Sequence, residues 1–288
     1  MATIQISDLD TLIAFFNGDH GQGSSAEHIE AVLTKDLDFA DKGIYYWAGS
    51  NNAPTTTWYA DFDGQGHSIK NISSSGEGKW FLFEALYDGY LINLNIEDIN
   101  ITATGNVALV NQLRGKAVVQ NVHVTGKYKG TTVAGISIGS NSGNTKVRGC
   151  SFHGEMEGTN AAGISYNTVS VTGSNRIMNC AAVAKINVTG TGAGIAYTSG
   201  WTSGSFFRGT IKAGTIYPLI SGSNRCTESY VVLEEGTTGT IANITQQNTC
   251  VYDADVAAAA GLTVQGLTAA TTLQIKDPGY MRNAGYAT

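Results

Sequence analysis

Proline and charge are both scarce in this chain. Only 3 of its 288 residues are proline and 14% are charged, against roughly a quarter charged in an ordinary soluble domain. Few prolines beside 36 glycines exclude collagen-like structure and point to tight corners between many short strands. Disorder is excluded as well, because 42% of the residues are hydrophobic, enough to build a core. No run of Lys or Arg occurs and the formal net charge is −6. Nucleic-acid affinity rests on clustered cations, so no nucleic-acid partner is expected. No apolar stretch reaches the roughly 18 residues that a membrane span needs, so no membrane is expected either. The first residues, Met1 to Asp8, lack the basic and apolar regions of a signal peptide, which predicts synthesis and folding in a cytoplasm.

Short cysteine spacings are also missing. Cys150, Cys180, Cys226 and Cys250 contain no Cys-x-x-Cys pair, so neither a zinc site nor a dithiol redox motif is signalled. Cys150 and Cys180 stand one repeat apart. A disulfide clip and two buried thiols both fit that spacing, and a reduced compartment favours the thiols.

What the chain does have is a repeating phrase. Val133-Ala134-Gly135-Ile136, Ala161-Ala162-Gly163-Ile164 and Gly192-Ala193-Gly194-Ile195 place their glycines 28 and then 31 residues apart, with looser echoes at Leu82, Leu109, Leu219 and Asn243. Self-similarity at such a period marks a stacked architecture that grows coil by coil. Asn71, Asn93, Asn121 and Asn179 each precede an apolar alternation, and Gly149 and Glu228 take the same place in other coils. Asn and Gly enter left-handed backbone readily, which suits a sharp bend, and stacked asparagines can link their side chains into a ladder. From Trp201 to Gly214 the alignment needs a shift of one. Function is therefore expected where the phase slips: at 43–57, at 201–214 and at the two ends.

The ends read differently from the coils. Ser7 as N-cap, Asp10 three residues on, and Leu9, Leu12, Ile13 and Phe16 at helical spacing predict an amphipathic helix ending near Gly18. Lying over the open end of the stack, it would act as a cap. Residues 1–28 are thus read as capping helix and loop, 29–267 as coils and 268–288 as a terminal strand and cap. The segment at 43–57 carries Tyr45, Tyr46 and Trp47 and reads as a side loop.

Chemistry is faint. Asp61 and Asp63 share one strand face and could bind a metal or act as acid and base, but beside Gly64-Gln65-Gly66 they suit turn capping. Glu97-Asp98 and Glu234-Glu235 are adjacent pairs that point to opposite faces. His20, His28, His67, His123 and His153 share no zinc spacing, and His123 and His153 read as a solvated face. Trp47, Trp58, Trp80 and Trp201 with 13 tyrosines could form a sugar-stacking surface. No catalytic residue, metal site or cofactor is assigned, and the binding residues stay unidentified.

Leu33 to Phe39, followed by Phe62 to Ile72, resembles the opening of pectin-lyase-like right-handed β-helices with GLUG-type repeats. The Ala-Gly-Ile phrases are similar to the repeat itself, and Ile275 to Pro278 with Gly285-Tyr286 to its closing segment. The resemblance implies an all-β fold, a right-handed parallel β-helix (solenoid) of three sheets with an N-terminal α-helical cap. Its members include adhesins, polysaccharide-degrading enzymes and phage structural proteins. The lyases use calcium held by several acids with a basic residue as base, a set that finds no match in these coils. The expected function is a non-enzymatic structural protein of a phage virion, foremost a capsid decoration (cement) protein. Its expected partners are a major capsid or tail protein and further copies of itself, a trimer by resemblance. The alternatives are a tail-associated or cell-surface adhesin binding carbohydrate, and a polysaccharide lyase or hydrolase.

Overall fold

The computed structural model describes residues 3–40, 57–140, 144–168, 176–198, 201–221, 225–242, 250–277 and 281. Alternating apolar and polar residues form short strands that bury one side only, and each pairs with the coil before and after it. The result is an all-β parallel solenoid of about 8 turns, a right-handed β-helix. Tyr90–Ala103 shows the path of one coil. Its three legs pair in turn with Asp61–Asp63, Ser68–Lys70 and Ser73–Gly76, with a bend after the first and second legs. A return strand closes each circuit, and six of these build a second sheet from Thr57–Trp58 to Ala196–Thr198.

The first bend is left-handed in six successive coils, with φ of 52° at Asn93, Asn121 and Asn179, 61° at Gly149, 58° at Gly204 and 51° at Glu228. Asn121 Nδ2 donates to Asn93 Oδ1, and Asn93 Nδ2 to Asp63 Oδ1, each at 3.1 Å. The expected ladder therefore exists at the N-terminal side. Asn71 is a correction: its strand pairs with Asn95–Glu97, which puts it at the second bend beside Asp98, with φ of 58° and 55°. It donates to Asp38 Oδ1 at 2.8 Å. An asparagine before an apolar alternation marks a left-handed bend without saying which one.

The Ala-Gly-Ile phrase lies where the third leg turns into the return strand. Leu82, Ile136, Ile164 and Ile195 donate their N–H groups to the carbonyls of Leu109, Ile164, Ile195 and Leu219 at 2.9 Å, and all are in the core. The echo at Asn243 lies outside the described residues. Ala134 points the other way and packs with Phe81, Ala108 and Ile138 in a separate apolar cluster. Gly163 is held between coils: a Cβ there would stand 2.0 Å from the Gly194 oxygen and 2.5 Å from Ala182 Cβ.

The ladders hold through the first part of 201–214 and shift by one residue at its end, as the sequence implied: Lys212 pairs with Thr238 but Thr215 with Thr240. Trp201 pairs with Arg176 and Arg225, and Phe206 with Ala181 and Tyr230. Coil length varies at the edge between return strand and first leg, where Ser140 pairs with Thr168 but Lys146 with Arg176, and also within the ladders, between Val124 and Gly126 and between Lys212 and Thr215.

Both ends are closed. Helix α1 (Leu9–Asn17) starts one residue later than Ser7 would set it. Its N-cap is Asp8, whose carboxylate accepts the Thr11 N–H at 2.8 Å, and Gly18 ends it at φ 84°. Phe15 and Phe16 reach the end of the core, with Phe15 5.5 Å from Trp58 and 5.6 Å from Phe62, and Phe16 5.2 Å from Phe83. Each such buried side chain contributes about 1.5–3 kcal/mol. Before the helix, Ile4–Ile6 pairs with Ala31 to Leu33, a strand that the sequence reading omits. At the other end, α2 (Ala254–Ala259) interrupts the span read as coils and places Ala257 in the main core. Buried Asp253 caps α2 and accepts the Thr272 hydroxyl at 2.8 Å, tying in α3 (Thr272–Lys276). Val251, Ala270 and Met281 form a small cluster there with Tyr230 and Ile275.

Gly163→Ala should cost about 3 kcal/mol by forcing coils apart. Gly66→Ala, at φ +81° with nothing within 4 Å of its Cβ, should cost only the left-handed strain of about 1–2 kcal/mol. Urea unfolding midpoints should fall in that order, and equal midpoints would refute the close coil contact at Gly163.

Candidate functional site

The acids singled out by sequence serve local structure. Asp63 Oδ1 accepts the Gln65 N–H at 2.8 Å and the Asn93 side chain, the turn-capping role. Asp61 Oδ1 lies 3.2 Å from His28 Nδ1. Glu30, Asp61 and Tyr90 stack on successive coils. Partial burial, and then the carboxylates of Asp61, Glu30 and Asp63, hold the Tyr90 phenol above its ordinary range.

Around the second bend near the same end, Asp36 accepts the Ser68 N–H at 3.0 Å and meets His67 at 3.2 Å. The Ser68 bond, foremost, holds the Asp36 carboxyl below its usual range. Lys70 bridges Glu97 at 3.4 Å and Asp36 at 3.5 Å. Glu97 also accepts the buried Ser68 hydroxyl at 2.6 Å, Asp98 supplies a left-handed bend residue, and Glu234 pairs with Arg208 at 2.7 Å. Glu235 and His20 are exposed. Among the described residues no group of three or more His, Cys, Asp or Glu is placed to hold a metal ion.

His123 and His153 are exposed, as the alternation implied, and His123 Nδ1 meets Ser151 Oγ at 2.8 Å. The tryptophans do not make a surface row. Trp58 and Trp80 are 4% and 1% exposed in the core, while Trp201 lies under the Arg176 guanidinium at 4.5 Å. Trp47 and most of the loop at 43–57 lie outside the described residues.

A paired outer feature crosses the second bend in the middle of the stack. Two adjoining concavities of about 210 and 260 Å³ share Glu155 and Lys185. Gly154, Ala184 and Gly209 succeed one another at this bend. A Cβ on Gly209 would stand 2.0 Å from the Ala184 oxygen, so the glycine lets the coils meet and lowers the floor. Charges of opposite sign meet across the coils: Lys127 to Glu155 at 2.9 Å, Lys185 to Glu155 at 3.9 Å, and Lys129 to Glu157 at 3.1 Å.

Lys127, by its hydrogen bond above all, holds the Glu155 carboxyl below its usual range, so that group stays ionised near neutrality. A glycosidase acid must instead stay protonated. The arrangement is suited to recognising a polar surface of mixed charge. Lys127, Lys129, Glu155, Glu157 and Lys185 were missed in the sequence reading. The available signal was opposite charge at the same offset in successive repeats.

No family model matches the chain, and no curated protein matches it closely enough to count as a relative. Among solved structures it is similar to a candidate immunoglobulin A1 protease from Bacteroides ovatus. The identity is 17% and the TM-score 0.64, over 97% of this chain and 86% of that one. It is also similar to a structure named IgA1 Protease, with 15% identity and a TM-score of 0.63, over 86% of this chain and 21% of that one. The chain thus spans about a fifth of the latter. These identities establish the fold alone: a parallel solenoid is shared, and the GLUG-type repeat family finds no match.

Because the folded pKa of Glu155 is lowered from 4.5, its ion pairs stabilise the protein above that value and are lost as pH falls through the lowered one. The pairs are partly exposed, so the effect stays well under about 1 kcal/mol. Urea titrations between pH 6 and pH 2 should show Glu155→Gln less stable at pH 6, with the gap to the wild type narrowing as pH falls below 4.5. A gap that does not narrow would contradict this assignment.

Proposed function

We propose that the chain is a non-enzymatic structural protein of a phage virion, decorating the capsid surface and seated on the major capsid protein. The supporting observation is that helices close both ends of a continuously hydrogen-bonded stack. With these helices over its core, the stack offers its sides to a partner. Those sides carry a charge ladder in which Glu155 and Glu157 are paired with lysines of neighbouring coils. A sugar-binding surface is less well supported. Tyr166 and Tyr197 lie 4.9 Å apart at 19°, and Phe206 and Tyr230 5.0 Å apart at 6°. Neighbouring rings therefore cover part of each other's faces, and sugar stacking needs those faces open.

The fold likeness favours a second reading, a module of a protein that acts on immunoglobulin A1. Both readings are testable with the purified chain. Co-sedimentation with assembled capsids lacking it, saturating at a fixed copy number per capsid, is the outcome expected of the decoration protein. A trimer mass by light scattering would accord with the family resemblance. No binding to capsids, together with cleavage or capture of immunoglobulin A1, would replace the first reading by the second.

A further inference from the structure

The repeat pairs Cys150 with Cys180, but the geometry points to a different couple: we infer that Cys226 and Cys250 are a modification site, a dithiol that closes into a disulfide and clasps the last coils. Their sulfur atoms lie 3.0 Å apart, closer than two sulfurs in simple van der Waals contact. Both residues are buried, at 1% and 0% exposure. The hydrogen bond to Cys250, and then burial, push the Cys226 thiol well above its ordinary range. The other two thiols also meet, with burial first and then the hydrogen bond to Cys180 raising the Cys150 thiol, but each of them donates to backbone carbonyls as well. Cys150 donates to Arg148 at 3.4 Å and Val119 at 3.6 Å; Cys180 donates to Met178 at 3.3 Å and Val147 at 3.6 Å.

The position of the couple gives the bond a consequence. Cys226 lies on Arg225–Thr227, which pairs with Trp201–Ser203. Cys250 immediately precedes Val251–Asp253, which pairs with Tyr230 and Thr268 on either side. The two are 24 residues apart in sequence, so a bond between them would close off the coil that carries the C-terminal cap. Cross-linking of this kind restricts the opened chain. Access to buried thiols requires a local opening, which stack ends undergo most readily. The oxidant is a small-molecule disulfide such as oxidised glutathione. One cysteine thiolate attacks it and expels a glutathione thiolate, leaving a mixed disulfide. The second cysteine thiolate attacks the protein sulfur and expels the other glutathione. The S–S bond forms, the two cysteine protons pass to the two expelled glutathione thiolates, and one oxidised glutathione is thereby reduced to two thiols.

The test is to hold the full chain in a glutathione redox buffer, both in the native state and during refolding from urea, then alkylate it and map non-reduced peptides by mass spectrometry. The expected result is a fall from four free thiols to two, with a peptide joining Cys226 to Cys250. Cys150→Ser and Cys180→Ser should leave that bond intact. Hydrogen exchange in 225–242 and 250–270 should slow at least about tenfold on oxidation. Four thiols persisting after refolding in the oxidising buffer, a bond between Cys150 and Cys180, or unchanged exchange in the last coils would each overturn the inference.

Discussion

Parallel strands can hydrogen-bond from coil to coil only if each circuit brings the chain back in phase, and the left-handed residue at the first bend is where that phase is set. Asn93, Asn121, Gly149, Asn179, Gly204 and Glu228 stand in one column with φ between 51° and 61°. The turn angle is the same in these six coils, whatever the length of the connection that follows. A glutamate carries the left-handed strain of about 1–2 kcal/mol that glycine would avoid, and it still makes the bend. The ladders before and after Glu228 stay in register, which shows that the surrounding pairing outweighs the strain.

Other features follow from that return. With phase fixed, Leu82, Leu109, Ile136, Ile164, Ile195 and Leu219 stack as one buried column, and the glycine before the isoleucine is pressed between carbonyl and side chain of adjacent coils. Charges repeat in register on the outer face, where Lys127, Glu155 and Lys185 meet. A stack built this way leaves apolar cross-sections at its ends. Phe15 and Phe16 of α1 cover one, and Ala257 of α2 joins the core at the other.

The sequence made the repeat, the left-handed bend and the N-terminal helix legible because each has a local cause: a small residue in a tight contact, an asparagine or glycine at positive φ, an apolar stripe at helical spacing. The position of Asn71 was not legible, because two bends with the same backbone demand the same residue type. Continuity through Trp201 was hidden by unequal coil lengths at an edge where no ladder constrains them. Helix α2, with its run of alanines, carries no alternation that separates it from a strand. The charge ladder and the Cys226–Cys250 approach depend on which side chains meet across coils. That information becomes available only once the register is known.

The account stands or falls on the first bend, and Asn121 tests it most directly. Asn121→Gly and Asn121→Ala both remove the side-chain bond to Asn93, but only alanine must be strained into φ 52°. In urea unfolding the glycine variant should be the more stable of the two by about 1–2 kcal/mol, although glycine is elsewhere the poorer strand residue. Equal stabilities, or an alanine variant more stable than the glycine one, would contradict the claim that this left-handed residue sets the phase of the coils.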